Sequence, residues 1–167
     1  MSVAEHRALS PTSVACFVLT VSDTRTLETE TSGRTIAELL TGAGHTVVDR
    51  QVVKDDAAAV QLAIREEIWR GRAKAFITTG GTGIARRDST YEALCGMFDK
   101  EIDGFGELFR MLSYEEIGSA AMLSRATAGI ASGCVIFLLP GSEAAVRLAT
   151  TRLILPELGH IVRELTK

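Results

Sequence analysis

A continuous apolar run near the start of the chain places the strongest constraint on the fold. Residues 14–21 read Val-Ala-Cys-Phe-Val-Leu-Thr-Val, without alternation between apolar and polar positions. A strand that is exposed on one face alternates, whereas a strand that is buried on both faces does not. The run therefore predicts a strand of a parallel sheet that is covered by helices on both sides. Ser22 and Asp23 follow it directly, at the strand end where open α/β sheets collect ligands.

The next segments alternate between helix and strand patterns. Helices are predicted over about 33–42 and 57–71, and strands over 45–53 and 73–79. On the second helix, four apolar residues are predicted to form one buried stripe: Val60, Ile64, Ile68 and Trp69. This β-α-β-α-β order is typical of a three-layer α/β/α fold with a mainly parallel, doubly wound sheet.

The second half of the chain predicts an antiparallel addition to this sheet. Two apolar runs, 126–131 and 134–139, are separated only by Ser132 and Gly133, which is typical of a hairpin. We therefore expect one antiparallel edge strand. The remaining segments are predicted to be helical over about 90–98, 105–116 and 143–153, with a short helix and turn over 118–126 and a last helix that Pro156 begins or kinks. The polar residues 1–13 are predicted to be a flexible arm, and residues 14–167 a single domain.

Composition excludes several classes of function. The chain has a net charge of −3 and an aromatic content of 5%, which argue against binding to nucleic acid or to an anionic membrane surface. No apolar run approaches the ~18 residues of a membrane span. The three cysteines, Cys16, Cys95 and Cys134, are far apart and form no zinc-binding pattern. These features predict a soluble cytoplasmic domain, with Cys16 and Cys134 in its core.

A glycine-rich loop follows the third predicted strand. Residues 78–90 read Thr-Thr-Gly-Gly-Thr-Gly-Ile-Ala-Arg-Arg-Asp-Ser-Thr. Glycines let the backbone approach a ligand closely, and successive N–H groups in such a turn form a concave anion site. Arg86 and Arg87 add positive charge, and Asp88 adds a carboxylate for a divalent cation. The alternative interpretation is a tight strand-to-helix turn with a solvated, charged tail.

Four polar segments are predicted to meet at one edge of the sheet. They follow strands 1, 2, 3 and the last strand: Ser22-Asp23, Asp55-Asp56, the glycine loop and Pro140-Gly141-Ser142. If these strands are parallel, the segments line one cleft. Asp55 and Asp88, at the ends of strands interpreted as neighbours, are candidates for a magnesium site beside phosphates. For each of them the alternative is a plain helix N-cap. The residues alone thus indicate an α/β enzyme that binds a phosphorylated ligand.

Several motifs in order resemble the MoaB/MogA family of molybdenum cofactor biosynthesis proteins. They cover nearly the whole chain from about residue 14: TVSDTRT (20–26), TSG (31–33), TTGGTG (78–83), RDST (87–90), GFGELFR (104–110), MLSRA (122–126) and LPGS (139–142). The stretch from 104 to 118 looks more like the MoaB branch than MogA. Glu30, Ser89 and Asp103 depart from the residues that are common in the family, but none of these changes removes a candidate magnesium ligand.

The resemblance implies adenylylation of molybdopterin with ATP and Mg²⁺, which gives AMP-linked molybdopterin and pyrophosphate. By motif position, Asp55 and Asp88 match the family's catalytic carboxylates and would hold the magnesium ion. The implied substrate-binding residues are Gly80, Gly81, Thr82, Gly83, Ser22, Asp23, Ser113, Ser124, Gly141, Ser142, Glu107 and Arg110. For Glu107 and Arg110, the resemblance leaves a role at the site or at a subunit interface open.

The resemblance also implies partners and alternatives. Family members form homotrimers or homohexamers, and other molybdenum cofactor biosynthesis proteins are possible partners. The first alternative function is a non-catalytic pterin-binding or assembly protein of the same pathway. The second is an unrelated nucleotide-binding α/β domain.

Overall fold

The computed structural model describes all 167 residues and is built around one six-stranded sheet. The strands are β1 (Ala15–Val21), β2 (Thr46–Val53), β3 (Ala75–Thr79), β4 (Lys100–Glu101), β5 (Thr127–Ala131) and β6 (Cys134–Leu139). The α-helices are α1 (Val3–Ala8), α2 (Ser32–Gly42), α3 (Ala57–Arg70), α4 (Thr90–Cys95), α5 (Asp103–Ile117), α6 (Glu143–Ala149) and α7 (Leu155–Leu165). A 3₁₀-helix over Gly118–Leu123 follows α5.

The sheet has the order β2-β1-β3-β6-β5-β4 and is mainly parallel. β1 pairs in parallel with β2 and β3, and β3 pairs in parallel with β6. β5 runs antiparallel to β6 through the predicted Ser132-Gly133 hairpin, where both residues have a positive φ. The prediction of a three-layer α/β/α fold with one antiparallel strand at the edge is confirmed. The two-residue strand β4, which the sequence pattern did not indicate, pairs outside β5.

The core lies on both faces of this sheet. Alternate residues of β1 point to opposite sides: Cys16 and Val18 pack with α2, α5, α6 and α7, whereas Phe17 and Leu19 pack with α3 and α4. This two-sided burial explains why residues 14–21 are continuously apolar. Cys16 and Cys134 are buried as predicted, and burial raises the pKa of the Cys16 thiol to about 12. No helix has both the length and the apolar character needed to cross a membrane.

The predicted apolar stripe of α3 is wrong at one position. Val60 and Ile64 are fully buried, but Trp69 is 87% exposed. Trp69 lies nine residues after Val60, about two and a half helical turns, so the two side chains point to opposite sides. Glu67 is buried instead, and its carboxylate accepts two hydrogen bonds from Arg72, at 3.0 Å from Nε and 2.6 Å from Nη2. The ion pair allows a charged residue to take a position on the inner face.

Alanine substitutions at two positions of α3 test this corrected orientation. Ile64→Ala removes fully buried methyl and methylene groups, and the free energy of unfolding should fall by about 2–5 kcal/mol. Trp69→Ala removes a larger but exposed side chain, and the change should stay within about 0.5 kcal/mol. Urea denaturation followed by circular dichroism measures both values. A larger loss for Trp69→Ala than for Ile64→Ala would contradict the orientation.

The first thirteen residues contain a helix, in contrast to the predicted arm. Ser2 and Glu5 form a capping box at the start of α1, and this Ser-x-x-Glu spacing was a signal available in the sequence. α1 has no fully buried residue, and its contacts with α7 are mainly polar: Arg7 pairs with Glu157, and His6 with Glu164. An apolar periodicity is therefore missing, which is why the pattern of residues 1–13 did not indicate a docked helix.

The last helical region changes its winding ahead of Pro156. α6 continues through a π-helical turn over Thr150–Ile154 into α7, and the backbone stays helical throughout. Proline has no N–H to donate and its ring crowds the preceding turn, so a wider turn at this point accommodates it. Pro156 lies in the first turn of α7.

Candidate functional site

Four loops meet where β1, β2, β3 and β6 end. Because these four strands are parallel, their carboxyl ends lie along the same edge of the sheet. β1 lies between β2 and β3, so the strands that precede Asp55 and Asp88 are not neighbours, in contrast to the sequence interpretation. The loop after β2 and the glycine loop after β3 nevertheless meet beyond the end of β1, through the contacts described below.

The glycine loop needs glycine at its first two positions. Gly80 and Gly81 have φ angles of 96° and 69°, in the left-handed region that other residues rarely adopt. A Cβ atom at Gly80 would collide with the carbonyl oxygen of Val21, the last residue of β1. The Gly80 N–H also donates to the Leu139 carbonyl oxygen at 3.1 Å. The start of the loop is thus fixed against both neighbouring strands. Thr82, which follows, is buried.

Asp55 is bound to the end of the glycine loop. Its Oδ1 atom accepts hydrogen bonds from the Ser89 N–H at 3.4 Å, the Ser89 hydroxyl at 3.3 Å and the Thr90 hydroxyl at 3.2 Å. The N-cap of α3 is the next residue, Asp56, whose side chain accepts from Ala59 N–H at 2.9 Å. The N-cap interpretation of Asp55 is therefore wrong. Ser89, a departure from the family pattern, supplies two of the three hydrogen bonds.

Asp88 stabilises the glycine loop itself. Its Oδ2 atom accepts from the Ala85 N–H at 3.1 Å, which closes the turn between residues 85 and 88. The residue at the N-cap position of α4 is Ser89, and it makes no side-chain capping bond. Asp88 is therefore not an N-cap either, since its hydrogen bond points back into the loop.

The two aspartates flank the same short stretch of backbone. A Cβ atom at Gly81 would lie 3.1 Å from Asp55 Oδ1, and one at Gly83 would collide with Asp88 Oδ2. The two carboxylates thus contact loop positions that are only two residues apart. Tertiary structure brings them together from the ends of β2 and β3.

The donor chemistry of this pair suits a hard divalent cation. Asp55 and Asp88 are both half-buried, and each uses a single carboxylate oxygen for the hydrogen bonds described above. The other oxygen of each, Asp55 Oδ2 and Asp88 Oδ1, has no hydrogen-bond donor within the protein. Mg²⁺ binds through one or two carboxylates and keeps several waters and substrate oxygens as further ligands. The two aspartates therefore fit the magnesium ion that the family resemblance implies.

Asp23 joins the loop after β1 to this group. Its Oδ1 accepts from the Asp55 N–H at 3.1 Å, and its Oδ2 pairs with Arg87. The carboxylate thus bridges the end of β2 and the glycine loop. Ser22 has a different role: its hydroxyl oxygen accepts from the N–H groups of Thr24, at 3.3 Å, and Arg25, at 3.0 Å, which shapes the loop after β1.

Arg125 holds the glycine loop from its outer side, a role that the sequence analysis did not assign. Its Nε donates to the Thr82 carbonyl at 3.0 Å and its Nη2 to the Gly83 carbonyl at 2.5 Å. Nη1 donates to Glu92 at 2.5 Å, and the guanidinium lies 4.6 Å above the centre of the Tyr91 ring. Because carbonyl oxygens face Arg125, it stabilises the loop conformation. The available signal was the arginine in the MLSRA motif.

Glu30 is a second residue whose role was missed. It is 2% exposed, pairs with Arg50, and accepts hydrogen bonds from the Thr20 hydroxyl at 3.1 Å and the Gly33 N–H at 2.7 Å. A carboxylate at the N-terminus of α2 also benefits from the helix dipole. The sequence showed Glu30 only as a departure from the family pattern, because its partner Arg50 lies on the distant strand β2.

Glu30 lines a polar cavity of about 220 Å³. The cavity is lined mainly by hydroxyl and backbone groups, from Thr20, Ser22, Thr31, Ser32, Thr79, Gly80 and Gly141 among others. Gly141 accepts from the Ser32 hydroxyl at 2.6 Å. Ser142, in contrast, caps α6, since its hydroxyl oxygen accepts from the Ala145 N–H at 3.2 Å.

A more open cleft of about 400 Å³ lies along the later part of the glycine loop. It is lined by Ile84, Ala85, Arg86, Asp88, Ser89, Glu92 and Arg125. Gly80 lines the polar cavity and Asp88 lines this cleft, so the glycine loop contributes to both spaces.

Four predicted residues lie on or beside α5, outside these two spaces. Arg110 donates through Nη1 to the carbonyls of Ser124, at 3.4 Å, and Ala126, at 3.2 Å, and so attaches the segment before β5 to the helix. Ser113 is buried, Glu107 is exposed, and the hydroxyl of Ser124 is buried without a hydrogen-bond partner. The substrate-binding roles of these residues stay predictions.

The Arg125–Glu92 contact can be tested by titration. Hydrogen bonding to Arg125 lowers the pKa of the Glu92 carboxyl below its ordinary value. In Arg125→Gln the pKa of Glu92 should therefore rise towards that value, as measured by carbon-detected NMR titration. Arg147→Gln removes an arginine that pairs with Glu143 on α6 instead, and serves as the control in which the pKa of Glu92 is measured again. The contact would be contradicted if the pKa of Glu92 were unchanged in Arg125→Gln, or if it rose equally in Arg125→Gln and Arg147→Gln.

The chain is similar to known proteins over almost its whole length. Residues 17–160 match the family model described as a probable molybdopterin binding domain. The molybdenum cofactor biosynthesis protein B of Halalkalibacterium halodurans is 52% identical over 168 residues, which cover 100% of this chain and 99% of the relative.

Two crystal structures are also similar. One, of a molybdenum cofactor biosynthesis protein B, has a TM-score of 0.91 at 52% identity and covers 94% of this chain and 98% of that one. The other, of the tungsten cofactor synthesizing protein MoaB from Pyrococcus furiosus, has a TM-score of 0.85 at 41% identity, with coverage of 95% and 100%. The α/β/α domain with its glycine loop is thus of the molybdopterin-binding class. The chain belongs to the MoaB/MogA family of molybdenum cofactor biosynthesis proteins.

Proposed function

We propose that this protein acts in molybdenum cofactor biosynthesis as a molybdopterin adenylyltransferase that uses ATP and Mg²⁺. The observation that carries the proposal is the approach of Asp55 and Asp88 to the same three-residue stretch of the glycine loop, at Gly81 and Gly83. The two aspartates reach this stretch from different strand ends, and each keeps one oxygen without a protein donor. Such an arrangement suits phosphoryl chemistry, in which a protein mainly positions charged groups and neutralises them.

In the proposed reaction, an oxygen of the molybdopterin phosphate attacks the α-phosphorus of ATP. A new phosphorus–oxygen bond forms, the bond from the α-phosphorus to the bridging oxygen breaks, and pyrophosphate leaves with that electron pair. Bound Mg²⁺ would supply charge neutralisation on the phosphate oxygens. Asp55 and Asp88 would hold it, while the backbone N–H groups of the loop position the phosphates.

The two spaces beside the glycine loop support binding of two substrates. The polar cavity reaches the loop at Gly80, and the open cleft reaches it at Asp88. Groups bound in the two spaces would therefore meet at residues 80–88. Arg86 lines the open cleft and Arg87 pairs with Asp23, so both arginines add positive charge near the phosphates.

Substitution of the two aspartates tests the proposal. Asp55→Asn and Asp88→Asn keep the side-chain shape and remove the charge, and each should lower the rate of AMP-linked molybdopterin formation at least about 100-fold. The matched control is Asp56→Asn, because asparagine also serves as an N-cap and the residue is adjacent to Asp55. Its rate should stay near that of the wild type.

Product formation is measured with purified protein, molybdopterin, ATP and Mg²⁺. Normal turnover in Asp55→Asn and Asp88→Asn would contradict the metal-binding role of both residues. Normal pterin binding by the wild type without any AMP-linked product would favour the alternative, a non-catalytic pterin-binding or assembly protein of the same pathway.

We further propose that the protein forms a homo-oligomer, a trimer or hexamer, through one face of α5. This face exposes Leu108, Met111 and Tyr114, with exposed fractions between 47% and 63%. The residues recur every three positions and span about 120° of the helix circumference, so they form one stripe along the helix. Met122 and Leu123 in the following 3₁₀-helix are also exposed and extend the apolar surface. Contiguous apolar surface of this kind is typical of subunit contacts.

A charged residue on this face should disrupt the oligomer. Met111→Glu places a charge in the centre of the apolar stripe, and light scattering should show a smaller mass than for the wild type. Leu62→Glu, on α3, changes a residue of similar exposure and should leave the mass unchanged. A wild-type monomer, or a mass change only in Leu62→Glu, would contradict the proposed interface.

A further inference from the structure

Two histidines and a glutamate lie together where α1 contacts α7. His6 is on α1, and His160 and Glu164 are one turn apart on α7. His6 Nδ1 lies 2.9 Å from Glu164 Oε1, and His160 Nε2 lies 3.8 Å from the same oxygen. One potential ligand atom of each residue lies within 4.8 Å of the others. The cluster is far along the chain from the glycine loop and lines no part of the site described above.

These separations match those of ligands around a single metal ion. Two ligand atoms of a tetrahedral zinc ion are about 3.4 Å apart, because each lies about 2.1 Å from the metal. The distances of 2.9 Å and 3.8 Å lie on either side of that value. Imidazole and carboxylate groups are ligands that Zn²⁺ accepts, and three of them leave a fourth position for water.

The hydrogen bond on the far side of His160 prepares its ring for such a role. His160 Nδ1 lies 2.9 Å from Glu157 Oε2. A carboxylate only accepts hydrogen bonds, so Nδ1 carries the proton, and Nε2 of the neutral ring has a free lone pair. That lone pair faces Glu164 Oε1, which is another acceptor. A carboxylate behind a histidine is the usual outer partner of a metal-binding imidazole, and it fixes the tautomer and orientation of the ring.

His6 Nδ1 cannot satisfy both of its hydrogen-bonding neighbours in this cluster. Its Nδ1 atom lies 2.9 Å from Glu164 Oε1, an acceptor, and 2.9 Å from Arg163 Nη1, a donor. A proton on Nδ1 satisfies Glu164 and opposes Arg163, whereas a lone pair does the reverse. The cluster therefore contains acceptor atoms that a cation at its centre would satisfy together.

Three cationic and two anionic side chains surround the two histidines, and two of the cations compete with a metal ion. Arg163 faces His6, and Lys167 Nζ lies 2.5 Å from Glu164 Oε1. On the other side, Arg7 pairs with Glu157. The Arg163 side chain is only 18% exposed, whereas Lys167 lies beyond the end of α7 and is 48% exposed, and a bound ion would have to displace both. Removal of the Arg163 charge should therefore strengthen metal binding.

We propose that His6, His160 and Glu164 form a binding site for a divalent transition-metal ion, best matched by Zn²⁺, and that the bound ion fastens α1 to α7. α1 has no fully buried residue, so hydrophobic packing contributes little to its position. A metal ion would join residue 6 to residues 160 and 164 and convert a set of exposed polar contacts into a fixed attachment. This proposal does not depend on the adenylylation reaction.

Zinc titration of the full, untagged, metal-free chain by calorimetry tests the site. The wild type should bind one Zn²⁺ per chain, and His6→Gln and His160→Gln should each weaken binding at least about 10-fold. Glu157→Gln removes the outer partner of His160 together with the charge that pairs with Arg7, and should weaken binding about 10- to 100-fold. His45→Gln changes the third histidine of the chain, whose Nδ1 accepts from Val14 N–H, and should leave binding unchanged.

Two further measurements separate a built site from a surface charge cluster. Arg163→Gln should bind Zn²⁺ more tightly than the wild type, since the competing cation is gone. Co²⁺ bound to the wild type should give the visible absorption of a tetrahedral nitrogen and oxygen site, and His160→Gln should lose it. Circular dichroism checks that each variant is folded.

Three results would overturn the proposal. They are the absence of saturable Zn²⁺ binding to the wild type, binding by His6→Gln and His160→Gln as tight as that of the wild type, and an affinity of Arg163→Gln that is unchanged or weaker. The last result would show that the ion does not bind beside His6 Nδ1.

Discussion

The site depends on the hydrogen bonds of one carboxylate, that of Asp55. The residue follows β2, and its Oδ1 atom accepts from Ser89 and Thr90 at the start of α4, although β1 lies between β2 and β3 in the sheet. This contact holds the glycine loop against the end of β2. A half-buried carboxylate that accepts several hydrogen bonds through one oxygen is fixed in orientation. The hydrogen bonds to Oδ1 therefore also set the position of Asp55 Oδ2, and with it the position of any cation that this oxygen binds.

Other residues support the same loop from different directions. Gly80 bonds to the end of β6, Asp88 closes the turn at Ala85, and Arg125 binds the carbonyls of Thr82 and Gly83. The backbone is thereby fixed before any ligand binds. Preorganisation of this kind is what phosphoryl-transfer sites require, because the protein contributes position and charge. The loop therefore contributes a fixed backbone to both the polar cavity and the open cleft.

Much of the fold was predictable because its signals are local. The run 14–21 is continuously apolar since β1 is covered on both faces, and the Ser132-Gly133 turn requires positive φ angles that its residues can adopt. The predictions from the sequence were wrong where polar interactions, rather than apolar packing, hold a segment in place. Glu67 is buried on α3 through its pairing with Arg72, and α1 is held on α7 by ion pairs rather than by an apolar stripe. Hydrophobic periodicity cannot reveal either feature.

The sequence by itself determined the layers of the fold, the family, and the candidates Asp55, Asp88 and the glycines, because each of these is encoded in a short contiguous segment. Only the tertiary structure decided what those candidates do. It assigned the N-cap to Asp56 rather than Asp55, gave Glu30 its partner Arg50 from another strand, and placed Arg125 behind the loop. The physical reason is that hydrogen bonds and ion pairs act over a few ångströms in space. Glu30 and Arg50 are 20 residues apart in the chain, and Arg125 and Thr82 are 43 apart.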